Sequence, residues 1–219
     1  MLAFTPPLIQ NADLLLTGYL NTVLLSVLAL AAALAIGTFG ASLRVWGGAL
    51  LAPLAGAYVE FFRNTPFLVQ VSFFAVLFAP ANLGLTGDPL FVGIIALALY
   101  TGAYVTEVMR SGILSVDPRQ MEAARSLGLS QVAALRLIVL PQAIRIVLPP
   151  LGNLSIALVK NSAIVSAIAA TELLKVAGLI ETRTASFDGY IAALVGYWSI
   201  TVPLAIIVSQ LERRMAFGR

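Results

Sequence analysis

The sequence predicts an all-α integral membrane protein with five transmembrane helices and a cytoplasmic loop of two short helices. Three observations carry that expectation. Of 219 residues, 60% are hydrophobic and only 11% charged, with a mean hydropathy of +0.97. Soluble domains hold roughly 45–50% apolar and about 25% charged residues, so this chain cannot cover a globular surface with polar groups. The apolar residues gather into uncharged runs close to the ~20 residues that a helix needs to cross a bilayer. The cations, finally, lie unevenly about those runs. A water-soluble enzyme, a nucleic-acid-binding domain and a disordered tail are excluded. The chain has no Cys and no His, so thiol and imidazole chemistry, disulfides and the usual zinc and haem ligands are absent too. No catalytic or metal-binding set is expected, and any function rests on buried polar groups or on partners.

Taken in order, Leu14–Leu43 is uncharged and closed by Arg44. An apolar run, Val45–Val59, leads into the uncharged stretch Thr65–Gly87. Leu90–Thr106 is uncharged up to Glu107, Ile146–Ala170 contains one charge, Lys160, and Gly189–Leu211 is followed by Glu212, Arg213 and Arg214. The chain is read as one membrane domain over residues 1–219, with spans at about 14–43, 50–82, 90–110, 146–170 and 189–211 and a cytoplasmic loop at about 113–142. The amino end lacks the basic region of a cleavable signal peptide, and its apolar run exceeds the usual ~7–15 residues. Orientation follows from Lys and Arg, which favour the cytoplasmic side. With the carboxyl end inside, Arg44, Arg110, Arg119, Arg125, Arg136, Arg145, Arg213, Arg214 and Arg219 are cytoplasmic; only Lys175 and Arg183 are outside, nine against two. An odd number of spans places the amino end outside.

The largest polar insertion joins the third and fourth spans. Asp117-Pro118-Arg119-Gln120 has an N-cap carboxylate, a proline at the first helical position and a glutamine three residues after the cap. That helix is expected to end at Leu127, with Gly128 as its left-handed stop. Ser130 caps a second short helix that ends before Pro141. Glu122, Arg125 and Arg136 would be exposed, while Met121, Leu127, Leu129 and Leu137 offer apolar contact. Such a knob suits docking into a groove on another protein; a plain helical connector is the alternative.

Glu122-Ala123-Ala124, three residues, Gly128, nine residues and Ile138-Val139-Leu140-Pro141 resemble the EAA loop of ABC importer permeases, E-A-A-x3-G-x9-I-x-L-P, with every fixed position matched. The segments Glu60 to Gln70, Tyr100 to Glu107 and Leu148 to Asn153 are similar to motifs of the polar amino-acid branch of that family, whose members carry histidine, glutamine, glutamate or arginine. The resemblance implies a permease subunit of an ATP-driven, binding-protein-dependent importer in the bacterial cytoplasmic (inner) membrane. Glu122, Ala123, Ala124, Arg125, Gly128, Ile138, Leu140 and Pro141 would rest in a cleft of a separate ATPase subunit. The implied partners are that ATPase, a second permease chain (identical or related), an extracytoplasmic amino-acid-binding protein, the amino-acid substrate and membrane lipid. The residues agree on energy supply: neither Lys160 nor Lys175 follows a Gly as a P-loop requires, so no cofactor is expected in this chain and ATP-Mg would bind the partner. The competing reading is an ion-coupled secondary amino-acid transporter.

Charge at mid-bilayer costs ~2.5–3.5 kcal/mol on insertion scales, so it faces a cavity or a partner. Arg63 precedes Asn64-Thr65-Pro66, and a proline-broken span frees backbone groups that transporters use for polar ligands. Arg63 is the candidate for an α-carboxylate through its planar fork. Thr65, Gln70, Asn161 and Ser162 would supply hydrogen bonds, and Glu60 or Glu107 would meet an ammonium group. Alternatively, Glu60 pairs with Arg63 and Glu107 with Arg110 at the cytoplasmic interface. Many relatives carry an acidic residue where this chain has Asn161, which argues for a neutral or acidic amino acid over a basic one. Tyr190, Tyr197 and Trp198 read as an interfacial belt.

Overall fold

Long apolar helices, punctuated by Gly and Pro, dominate a computed structural model that describes residues 6–84 and 87–216. Arg219 of the cation count and residues 85 and 86 lie outside the described residues. Among the described residues every regular element is helical: α1 (Pro6–Gln10), α2 (Ala12–Trp46), α3 (Gly48–Asn64), α4 (Phe67–Phe78), α5 (Pro89–Leu114), α6 (Pro118–Ser126), α7 (Gln131–Ala134), α8 (Leu140–Asn161), α9 (Leu173–Thr184) and α10 (Asp188–Ala216). A π-helical turn, Leu135–Val139, joins α7 to α8, and a 3-10 segment, Ser162–Ile168, extends α8. Four stretches are long and apolar enough to cross a membrane: Ala12–Trp46, Pro89–Leu114, Gln131–Ile168 and Asp188–Arg214. Helices α3 and α4 qualify together as a fifth, bent by 110° at their junction.

Small residues set the packing. Lipid tails are as apolar as leucine, so helices in a bilayer associate through close van der Waals fit. A side chain on Gly37 would overlap Val105 and press on the Thr106 backbone nitrogen at 3.0 Å, and one on Gly40 would meet Thr106. Contacts therefore climb in step along α2 and α5, which run parallel and bury Leu25, Ala29, Ala96 and Leu97 between them. Gly93 against Val165 and Gly112 against Val147 set the chain through α8 antiparallel to α5. Gly152 against Val208 brings α8 into close contact with α10. Exposed Leu, Val and Phe side chains on α2, α3, α4 and α10 are what a lipid-facing surface requires.

The second expected span is not one helix, and the reason is local. Pro66 has no N–H, and its ring pushes Thr65 out of the helical region; Thr65 is extended at φ −116°, ψ 144°. The freed carbonyls are taken up nearby. Gln70 Nε2 donates to the carbonyls of Phe62 and Thr65 at 3.0 and 3.1 Å and to Thr65 Oγ1 at 2.6 Å, while Thr65 Oγ1 donates to Phe61 O at 2.8 Å. One buried amide thus secures the bend.

The loop also departs from expectation at its end. Asp117 accepts from Arg119 N at 2.9 Å, and Ser130 Oγ accepts from Ala133 N at 3.2 Å, so both caps form. Helix α6 closes on Gly128 at φ +89°. The second helix does not stop before Pro141, however. A π turn carries it into α8, with Leu140 N donating to Leu135 O. Pro141 then sits in the first turn of α8, where a missing N–H costs little.

Candidate functional site

Arg63, in the last turn of α3, is held at the break with its guanidinium carbon 5.4 Å from the Tyr104 ring centroid. The hydroxyls of Tyr104 and Tyr100 are 3.2 Å apart, and Phe67 of α4 packs on Tyr100 at 4.9 Å. The two sides of the break are thus moored to one face of α5. Arg63, Tyr104 and Glu107 line a cavity of about 320 Å³ that Ser111, Ile146 and Pro150 complete. Its carboxylate is already engaged. Arg110 Nε lies 3.1 Å from both Glu107 oxygens, Arg110 Nη2 bonds Oε1, and Arg44 Nη2 of α2 stands 3.8 Å from Oε2. Glu60 accepts from Asn64 Nδ2 at 2.7 Å on the exposed side of α3.

Asn161 and Ser162 lie elsewhere, where α8 gives way to the 3-10 segment. Ser162 is buried and donates to Val159 O at 2.7 Å. Lys160 beside them is exposed and borders a second cavity, about 680 Å³, with Tyr190, Tyr197, Trp198 and Thr201. The expected ligand set is therefore divided. Arg63 and Glu107 share a cavity, Thr65 and Gln70 secure the bend, and Asn161 and Ser162 stand at the end of α8. Tyr104 and Lys160 were missed as candidates. The signal for Lys160 was in the sequence: it is the lone charge of its apolar run.

A third polar group ties the other end of the bundle. Glu172 is fully buried and N-caps α9, accepting from Leu174 N and Lys175 N at 2.9 and 2.7 Å. Tyr197 of α10 donates to the same carboxylate, so Tyr197 is not simply an interfacial aromatic. Thr22 Oγ1 of α2 accepts from Leu173 N at 3.0 Å, and Asn21 Nδ2 donates to Thr171 O at 2.7 Å. Burial raises the Glu172 carboxyl above the usual carboxylate range; the hydrogen bonds from Tyr197 and the two amides oppose that rise.

At the opposite end, Val116, Val139 and Ala143 pack with Ile113, Met121 and Leu135, fixing α6 to the bases of α5 and α8. Leu129 N donates to Ala124 O and Gly128 N to Arg125 O, the pair of bonds that ends a helix on a left-handed residue. What projects is mixed: Glu122, Arg125 and Arg136 are exposed, and so are Leu127 at 86%, Val132 at 73% and Leu137 at 61%. Leu127 lies at the elbow, and Val132 and Leu137 lie on the first turns of the Gln131–Ile168 helix, beside exposed charges; apolar side chains so exposed at a polar end of the bundle mark a contact surface.

Long apolar helices with a packed cap of two short helices define an integral membrane protein with an exposed contact element at one end. The chain belongs to the family described as the binding-protein-dependent transport system inner membrane component, whose model matches residues 33–217. It is 42% identical over 209 residues to the probable glutamine ABC transporter permease protein GlnM of Bacillus subtilis, covering 95% of this chain and 96% of that one. It is 34% identical over 203 residues to the glutamine transport system permease protein GlnP of Escherichia coli, covering 92% and 93%. A crystal structure of an amino acid ABC transporter with histidines superposes with a TM-score of 0.86 at 34% identity, over 98% of this chain and 100% of that one. The inward-facing methionine transporter MetNI shares the fold, with a TM-score of 0.78 at 19% identity over 96% and 99%. The all-helical fold is that of ABC importer permeases, and the chain is a permease subunit. Nothing in these relationships supports the ion-coupled alternative.

Proposed function

We propose that this permease imports a neutral polar amino acid, glutamine first among candidates, delivered by an extracytoplasmic binding protein and driven by ATP hydrolysis in a separate subunit. The amino-acid class rests on the relatives, two of which are named for glutamine, and on the neutral Asn161. Two permease chains, identical or related, would enclose the pathway, since one chain surrounds too little space. The bent pair α3–α4 serves as one broken span, giving five, with the amino end outside and the carboxyl end in the cytoplasm. Arg63, steadied on Tyr104, is the group for the substrate carboxylate. Glu107, already shared by Arg110 and Arg44, positions that corner and does not bind the ammonium group. Lys160 and Asn161 line the pathway from α8.

The observation that carries coupling is the knob, where α6, capped by Asp117, and the Ser130-capped start of the helix that runs on into α8 meet about Gly128 with Leu127, Val132 and Leu137 outward. Tagged chain purified from membranes that express its native neighbours should bring down an ABC-class ATPase, depleted by Gly128→Asp. A chain recovered alone in both cases would refute the proposal. Uptake of labelled glutamine competed equally by arginine would refute the substrate class.

A further inference from the structure

Arg44 and Arg110 face each other across a cavity of about 380 Å³ whose other lining residues are Gly48, Ala52 and Pro53 of α3. The side chains are 24% and 29% exposed, so both guanidinium groups are partly withdrawn from water and open on one side. Among the described residues Glu107 is the carboxylate within ion-pair range of either. One negative charge serves two arginines, and Arg63 adds its field to the same carboxylate. The cluster carries net positive charge. The α2–α3 corner leaves room: Gly48, at φ +65°, has nothing within 4 Å of where a side chain would begin.

The surroundings fix the depth. Arg44 lies in the last turn of α2 and Arg110 in the last turns of α5, at the end of the bundle that carries the coupling knob. Trp46, 51% exposed, stands at the corner, as tryptophan does at the headgroup level of a bilayer. Leu50, Leu51 and Leu54 continue along α3 and are 72%, 43% and 60% exposed. A cationic recess therefore opens beside an interfacial aromatic, with an apolar helix face running away from it into the membrane. Basic pockets between helices on the cytoplasmic side suit anionic lipid headgroups, and arginine forks match phosphate oxygens.

We propose that Arg44 and Arg110, with the amino-terminal end of α3 at Gly48, Ala52 and Pro53, form a binding site for the phosphodiester of an anionic phospholipid of the cytoplasmic leaflet, its acyl chains lying along Leu50, Leu51 and Leu54. The inference rests on the cytoplasmic placement of the coupling knob. An arginine that holds a lipid headgroup also orients Glu107, so the lipid would steady the corner that carries Arg63.

Native mass spectrometry of the full chain purified with its ATPase, delipidated and then offered phosphatidylglycerol or phosphatidylcholine, tests the site. Phosphatidylglycerol should be retained in preference. Arg44→Gln should lower its retention about fivefold, the factor one basic side chain contributes at an anionic membrane surface. Ala52→Phe, which fills the recess and keeps both arginines, should lower it similarly and carries the test if Arg44→Gln is not recovered folded. Arg213→Gln, on exposed α10, should change nothing. Equal retention of the two lipids, or retention unchanged by Arg44→Gln and Ala52→Phe, overturns the site. Inorganic phosphate that protects the wild type against heat as well as phosphatidylglycerol does would overturn the lipid assignment. The ATPase is counted in the same spectra, so its absence refutes the importer reading separately from the lipid result.

Discussion

Gly128 allows the coupling reading to be tested without steric confusion. Its φ is +89°, and a side chain there would meet nothing within 4 Å. Any defect on substitution within this chain must then be conformational. An L-residue in left-handed backbone costs roughly 1–2 kcal/mol, a factor of about 5–30 in the competent population. The cost is graded: Asn visits this region most readily, Ala less so, and a β-branched residue is an outlier. ATPase recovered with the tagged chain should therefore fall in the order Gly, Asn, Ala, Val, with Gly128→Ala down about 5–30-fold on the same scale. Asp has nearly the backbone tolerance of Asn, so a further drop from Asn to Asp measures added charge at the docking surface. Equal recovery for Gly128→Val and wild type would refute the claim that the elbow positions the knob.

Gln70→Leu removes the donor to Phe62, Thr65 O and Thr65 Oγ1 and should cost about 1–3 kcal/mol, the penalty of unsatisfied buried groups, read as a lower unfolding temperature. A changed uptake KM at unchanged stability would instead make Gln70 a ligand. Arg63→Lys keeps the charge but loses the planar fork and much of the contact with Tyr104, worth about 0.5–1 kcal/mol where exposed, so uptake should weaken while the ATPase still co-purifies. Uptake kinetics identical to wild type would remove Arg63 from the site. Glu172 predicts the sign of a pH effect. Its folded-state pKa is raised, so its contribution is fullest below the unfolded value, about 4.3, and is lost as pH rises through the folded value. Unfolding temperature should fall over that window in wild type, and the fall should be absent in Glu172→Gln. A parallel slope in the variant would exclude Glu172 as its source.

What could be read from the sequence is what local chemistry decides. Asp117, Ser130 and Gly128 act within a few residues of themselves, so caps and elbow were legible, and uncharged runs marked the long helices. Pro66 announced a break, yet not its angle, because the bend is secured by an amide four residues further on. Pro141 misled for a related reason: a π turn shifted the hydrogen-bond register, so the proline fell where its N–H was not needed. The links Thr22 to Leu173 and Asn21 to Thr171 join residues 151 and 150 apart, and nothing in the local sequence of either partner points to the other. Glu172 with Tyr197 is likewise a tertiary fact.

The continuity that Pro141 seemed to forbid bears on how a knob could reach a pathway. From Gln131 to Ile168 the chain is one helical rod of 38 residues, including the π and 3-10 turns. Lys160 and Asn161 therefore lie on the same rod as Ile138 and Leu140, on the order of 30 Å away at 1.5 Å per residue. The other flank is as direct: α5 carries Tyr104, Glu107 and Arg110 and ends at Leu114, four residues before α6 begins. Packing of Val116, Met121 and Val139 joins the two flanks at their base. On the α8 side the backbone is helical throughout, on the α5 side only Ser115, Val116 and Asp117 intervene, and the base is packed, so little slack separates the knob from either helix. On the coupling proposed above, a force on the knob would tilt or rotate α5 and α8 together, as packed elements move in rigid-body switches. The Arg63 cavity is lined by α3, α5 and α8 at once, so on this proposal a relative movement of those helices would change its shape.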